Sequence, residues 1–317
     1  MDIQRIISLS ESIKRDYESQ SNGTMRWLQD YRKEVKAFKE YRGREVFELL
    51  QNADDARSDT VVISIDTDNN VLTIENSGED TQLFNYDGIK SILLSDISPK
   101  AGTAMIGEMG LGFRSVLNWA DRIEIRSDDL SAKFDGEIAR RYWDQLKGKI
   151  ADPEKYEAEA RRNGREVPLA ILALPQIERI VPADIKTTSI ILTYDESKAE
   201  ESILRNLETF QPEFLLFLKH VTRIVIKISG KPDRILTKEK CDERDGICTY
   251  RVNNSIWAVS SESTLMDKSV CEASCAFCLD APQDSYNIYT YFPTKVDFPF
   301  PCILHASLML SDYKSGK

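Results

Sequence analysis

Glu48-Leu49-Leu50-Gln51-Asn52-Ala53-Asp54-Asp55-Ala56 is the stretch on which the fold of this 317-residue chain turns. Val46, Leu49, Leu50, Ala53 and Ala56 recur at helical spacing, which predicts a helix with one apolar face turned to a core. Glu48, Asn52 and Asp55 fall together on its polar edge, where side chains three and four residues apart can point into one pocket. Such oxygen donors suit a hard cation like Mg²⁺, which takes few protein ligands and completes its shell with water and phosphate. Taken alone, the segment is equally an amphipathic surface helix whose polar edge is merely solvated.

About fifty residues later comes Ile106-Gly107-Glu108-Met109-Gly110-Leu111-Gly112-Phe113-Arg114. Three closely spaced glycines precede Phe113 and a helical-looking 115–120, which describes a loop running into a helix N-terminus. A helix start offers unpaired N–H groups and a positive dipole end to phosphate. Glycine there permits close backbone approach. The segment is neither a Walker A sequence nor a GxGxxG placed directly after a strand, so its weight comes from what accompanies it.

Taken in order, these stretches resemble the GHKL ATPases: gyrase, the ninety-kilodalton heat-shock chaperones, histidine kinases and MutL. Residues 48–56 look like that family's first motif, with Glu48 in the place of the water-activating base, Asn52 in that of the Mg²⁺ ligand and Asp55 supporting the same face. Leu72-Thr73-Ile74-Glu75-Asn76-Ser77-Gly78 is similar to the strand and turn that usually end in Asp-x-Gly, whose carboxylate accepts from the adenine amino group. Asn76 stands where Asp is usual; its amide oxygen can still accept that bond, but it supplies no charge. Asp80 occupies the position of the family's next glycine. Residues 106–121 resemble the chaperone branch, and Thr187-Thr188-Ser189-Ile190-Ile191-Leu192 resembles the fourth motif, with Thr188 reaching adenine directly or through water. Within the superfamily, the Glu-Leu-Leu-Gln-Asn-Ala-Asp-Asp-Ala wording, the Asn-Ser-Gly turn and Pro212-Glu213-Phe214-Leu215-Leu216-Phe217-Leu218 resemble the ATP-binding modules of sacsin-type proteins. The resemblance spans about residues 41–193.

It implies an α+β protein: a Bergerat-type two-layer α/β sandwich over residues 41–195, preceded by a helical segment 1–40 and followed by a transducer-like α/β domain, 196–317, truncated at its end. It also implies that ATP is contacted by Asn52, Asp55, Asn76, Gly78, Gly107, Gly110, Leu111, Gly112, Phe113 and Thr188, with Mg²⁺ on Asn52 and Glu48 as catalytic base. Lys100, in a lid over 79–105, is a candidate phosphate contact, although a lysine there is more often solvated. Lys314 stands near where a relative's second domain sends a basic residue to the γ-phosphate, and the weaker Lys317 follows it; a basic tail, too, is more often solvated. The implied activity is slow, Mg²⁺-dependent ATP hydrolysis driving lid closure and association of two subunits, within a larger chaperone-like or bacterial antiviral defence protein whose client or effector region lies C-terminal. The alternative is a MutL- or topoisomerase-like clamp closing on DNA.

Composition bears on these classes. A hydrophobic content of 41% supports a core and the length allows two domains. No apolar run approaches the roughly 18 residues of a membrane span, and residues 1–20 are charged and amphipathic, so the expected location is cytoplasmic. The net charge of −10, with no dense Lys/Arg block, counts against strong nucleic-acid binding by this chain alone.

Along the chain, residues 1–40 predict charged helices broken at Asn22-Gly23, packed on their own domain or on a neighbouring subunit. Residues 61–65 and 71–74 alternate around Asp68-Asn69-Asn70, a hairpin signal. A helix is expected over 86–94, a strand over 122–126, a solvated charged helical insertion over 136–164, strands over 167–174 and 189–194, and a helix over 200–218. Strands are then expected over 223–228, 234–237, 248–252, 255–259, 269–279, 288–292 and 303–310, a helix-then-strands order that suggests a second α/β domain. Among six cysteines, Cys271, Cys275 and Cys278 raise zinc, but they lack paired CxxC spacing. Cys271, Ala273, Cys275, Phe277 and Leu279 read better as one buried strand face. The two histidines, His220 and His305, form no catalytic cluster.

Overall fold

Apolar spacing near 3.6 residues produces three helices at the front of the chain: α1 (Ile3–Ser19), α2 (Arg26–Glu40) and α3 (Glu45–Asp55). The computed structural model describes residues 2–19, 25–94, 112–194, 196–208, 210–266, 269–290 and 292–306, so the Asn22-Gly23 break lies outside it. The chain divides into two compact units. The first draws on Met1–Ala101, Ile106–Thr209 and Val225–Arg234; the second draws on Phe210–Ile224 and Ile235–Lys317.

In the first unit, β1 (Thr60–Asp66) and β2 (Val71–Ser77) form the expected hairpin. The Asp66 carboxylate accepts from the Asp68 and Asn69 backbone N–H groups, and Asn70 closes the turn at φ 55°, a conformation asparagine tolerates. Then follow α4 (Tyr86–Leu93), β3 (Arg122–Ser127), β4 (Leu130–Asp135), α5 (Gly136–Leu146), α6 (Pro153–Arg162), β5 (Gln176–Arg179), β6 (Thr187–Thr193), α7 (Glu196–Glu208) and β7 (Arg223–Ile228). The strand order is β7-β1-β2-β6-β3-β4-β5, antiparallel throughout from β1 to β5.

Directly paired residues share a face, so the register writes rows across this sheet. Ile65, Leu72, Leu192 and Ile123 make one row and Ile63, Ile74, Ile190 and Ile125 the next, all buried. The row beyond them is Val61, Asn76, Thr188 and Ser127, where the apolar pattern gives way to buried polar side chains.

Several expectations are corrected here. Residues 115–120 do not start an α-helix: a 3-10 helix spans Gly112–Asn118, its residues from Gly112 to Leu117 buried. Residues 167–174 form no strand. The Ile171 and Leu172 N–H groups donate to the buried Glu34 carboxylate at 3.0 Å each, which satisfies the backbone without a ladder, and β5 starts later. The charged insertion is not wholly solvated: Trp143 of α5 is buried with its ring 5.3 Å from that of Trp27 in α2. Helices α1 and α2 likewise bury Ile6, Ile13, Trp27 and Tyr31. The helix expected over 200–218 ends by residue 208, because Pro212 cannot continue it and instead opens a 3-10 turn, Pro212–Phe217.

The second unit holds β8 (Arg234–Arg244), β9 (Ile247–Val252), β10 (Ser255–Met266), β11 (Ser269–Cys278), β12 (Tyr286–Thr290), β13 (Phe292–Phe298) and β14 (Ile303–Ala306), in the order β13-β12-β14-β11-β10-β9-β8. Phe214 and Phe217 of the 3-10 turn pack on Tyr289, and Phe217 stacks on His305 at 4.6 Å. Among the described residues this unit contains strands and that turn, while α7, expected at its head, falls in the first unit. Taken together, the described residues are α+β.

The buried face of β11 is the opposite of the expected one. Ser274, Ala276 and Cys278 are buried, while Phe277 and Leu279 are exposed. Trp257 pairs with Cys278 and Val259 with Ala276, so burying the indole of β10 draws the even-numbered residues inward. Cys278 therefore faces away from Cys271 and Cys275, which removes a shared three-thiolate site. No described helix is long and apolar enough to cross a membrane.

Candidate functional site

Helix α3 carries the first cluster. Val46, Leu49, Leu50 and Ala53 are buried, as the spacing predicts, and Glu48 is only 7% exposed. Its Oε1 lies 3.4 Å from Arg44 Nε one turn earlier. On the other side the chain returns at Gly112, so close that a Cβ built there would fall 2.8 Å from Glu48 Cδ and 3.3 Å from Cγ. Only glycine admits that approach. The structure thus brings together two residues that lie 64 positions apart in sequence, one from each motif.

What holds them is a polar brace that sequence reasoning missed. Glu45, in the first turn of α3, accepts from the Gly43 N–H at 2.9 Å and from Asn118 Nδ2 at 3.1 Å. Asn118 closes the 3-10 helix and also reaches the Phe38 and Ser115 carbonyls. Burial pushes the Glu45 carboxyl up from its ordinary value. Arg114, 1% exposed, donates to the Ile92 carbonyl at 2.7 Å and ties the same segment to α4.

Asn52 is half-buried one turn after Glu48, and its carboxamide makes no hydrogen bond among the described residues. Asp55 is half-buried, whereas Gln51 and Asp54 are buried, as Glu45 and Glu48 are. Phe113 is 2% exposed, so its side chain belongs to the core and only its backbone could meet a ligand.

The second cluster is the polar row of the sheet. Asn76 is buried and donates from Nδ2 to Ser58 Oγ at 2.8 Å; Thr81 Oγ1 donates to the same oxygen at 3.2 Å. Thr188, directly opposite Asn76, shares a 2.8 Å hydrogen bond with Ser127, whose Oγ also accepts from the Phe84 N–H at 3.1 Å. Gly78 follows the row and packs on Asp59, where a Cβ would lie 2.7 Å from Oδ2. Ser58, Thr81 and Ser127 were not singled out in sequence, although Ser127 ends a buried Ile123, Ile125 alternation with a polar side chain, which was the available signal.

Helix α3 links the clusters. Glu48 lies in its first half, and Ser58 N–H donates to the Ala53 carbonyl just past its end. At 1.5 Å rise per residue, Glu48 and Asp55 stand about 10 Å apart along the axis. A separate cavity of 470 Å³ opens behind the 3-10 helix beside Asn118, Asp121 and Arg165, and none of Glu48, Asn52, Asn76 and Thr188 lines it. Lys100, Gly107, Gly110, Leu111, Lys314 and Lys317 lie outside the described residues. Among those described, no group of three or more His, Cys, Asp or Glu side chains is arranged to hold a metal ion. The chain matches no protein-family model and no curated protein.

Proposed function

We propose that this chain is a GHKL-type ATPase module, a Bergerat-like α/β layer followed by a transducer-like unit. In this reading it acts as an ATP-gated conformational and dimerisation switch in a larger chaperone-like or antiviral defence protein. The observation that carries the proposal is the placement of a buried carboxylate against a glycine backbone at one end of α3 and a buried, uncharged polar row at the other. The spacing suits a nucleotide with its phosphates toward Glu48 and its base on the row.

In this reading Glu48 orients a water for in-line attack on the γ-phosphorus, with Arg44 and the Gly112 backbone fixing its carboxylate. Positioning and electrostatics carry most of such catalysis. Mg²⁺, when bound, would offset phosphate charge, and the half-buried Asn52 carboxamide, which makes no hydrogen bond among the described residues, fits the role of its one protein ligand. Asn76 and Thr188 would read the base edge. Nucleotide that prefers one conformation shifts the population toward it, which is how binding becomes a switch.

The test is Glu48→Ala in the full chain. It should bind ATP as the parent does, show no hydrolysis, and accumulate as a dimer with ATP on a sizing column. Parent-like turnover in that variant would remove Glu48 from its role.

A further inference from the structure

We propose that the polar row reads 6-amino and 6-oxo purines alike, so that the site takes GTP as well as ATP, with the Ser58–Asn76 pair as the specificity-determining element. The inference rests on the nucleotide-site reading above.

Asn76, Thr188 and Ser127, the polar side chains of the row, are uncharged, and each can present either hydrogen-bond polarity. With Asn76 Nδ2 donating to Ser58 Oγ, the amide oxygen is left to accept from an exocyclic amine. Rotating the carboxamide by half a turn exchanges its oxygen and nitrogen within the same volume. Ser58 then donates its own hydrogen to Asn76 Oδ1 while still accepting from Thr81, and Asn76 offers an N–H to a carbonyl oxygen. The two lone pairs of Ser58 serve the first arrangement and its hydroxyl hydrogen with one lone pair serves the second, so the Ser58 oxygen keeps both partners in either case.

The neighbouring pair behaves in the same way. Either Thr188 or Ser127 can donate across their 2.8 Å contact, and the Phe84 N–H occupies a Ser127 lone pair in both cases. Thr188 can therefore meet a ring nitrogen that carries a hydrogen or one that does not. A carboxylate at position 76 would behave differently: it only accepts, so it would welcome a 6-amino group and meet a 6-oxo group with like polarity. Sites of fixed polarity discriminate strongly because the wrong partner leaves a buried group unpaired. Here that fixed polarity is absent.

The experiment is calorimetry of the full chain and of Asn76→Asp with Mg²⁺-ATP, Mg²⁺-GTP and Mg²⁺-ITP. ITP carries the 6-oxo group without the 2-amino group. The parent should bind ATP and ITP within about tenfold of each other, with GTP close behind. Asn76→Asp should hold ATP and weaken both 6-oxo nucleotides by about 100-fold or more. A parent that binds ATP but holds ITP and GTP about 100-fold more weakly overturns this proposal and leaves the nucleotide site standing. A parent that binds none of the three overturns both. The comparison within the parent decides the question even where the variant folds poorly.

Discussion

Gly112→Ala is the substitution whose outcome the geometry dictates most closely. The new methyl would sit 2.8 Å from Glu48 Cδ, inside the 3.0 Å that real Cβ contacts respect. Gly112 is not among the glycines with positive φ, so the backbone itself accepts alanine and the cost is the collision. The obstacle is the end of a flexible side chain, which can swing aside at the expense of its 3.4 Å pairing with Arg44. Overpacking of that kind costs about 1 to 2 kcal/mol, too little to unfold the unit. Glu48→Ala removes the obstructing atoms, so Gly112→Ala should be nearly neutral in that background, with a coupling of about 1 to 2 kcal/mol in a double-mutant cycle. Urea denaturation of the four proteins measures it. Turnover in Gly112→Ala should fall by about tenfold or more with ATP affinity little changed, because the carboxylate has been moved while the rest of the site has not. Equal destabilisation in both backgrounds would show that Gly112 and Glu48 do not touch.

Two further outcomes follow from burial. His305 is 1% exposed against Phe217, with Glu272 and Lys219 nearby, and burial lowers its imidazole to about 4. Above about pH 6.5 it is neutral both folded and unfolded; below that the unfolded chain takes up a proton first, so stability falls toward pH 4, by about 3 kcal/mol at most. Denaturation profiles of the parent and His305→Phe should therefore diverge between pH 6.5 and 4, and parallel profiles would refute the assignment. Trp143→Ala should cost about 3 to 5 kcal/mol, since it empties a buried site against Trp27. A loss below about 1 kcal/mol would return α5 to the solvated face expected from its charge.

The local elements were legible wherever a single period dominated. Residues 46–56 spell a helix because their apolar positions recur at one spacing, the hairpin around Asp68-Asn69-Asn70 declares itself in turn chemistry, and β7 has the bounds expected of the Ile/Val-rich stretch 223–228. Legibility ended where a distant partner decided the matter. Residues 167–174 are apolar throughout, a pattern shared by strands and buried loops, and the Glu34 carboxylate settled the choice. The face of β11 was set by Trp257 across the sheet, which no pattern within β11 reports. In the candidate site, Glu48, Asn52, Asn76 and Thr188 stood out in sequence by motif. Their supports, Glu45, Asn118, Ser58 and Ser127, act through contacts with partners up to 80 residues away.

The most direct test of the central claim is calorimetric titration of the full chain with ATP in the presence and absence of Mg²⁺, alongside Asn52→Ala. The parent should bind ATP in a Mg²⁺-dependent way, and Asn52→Ala should lose about tenfold or more in affinity, since it removes an oxygen ligand to the ion. Absence of binding by the parent, or affinity unchanged by both Mg²⁺ and the substitution, would contradict the claim.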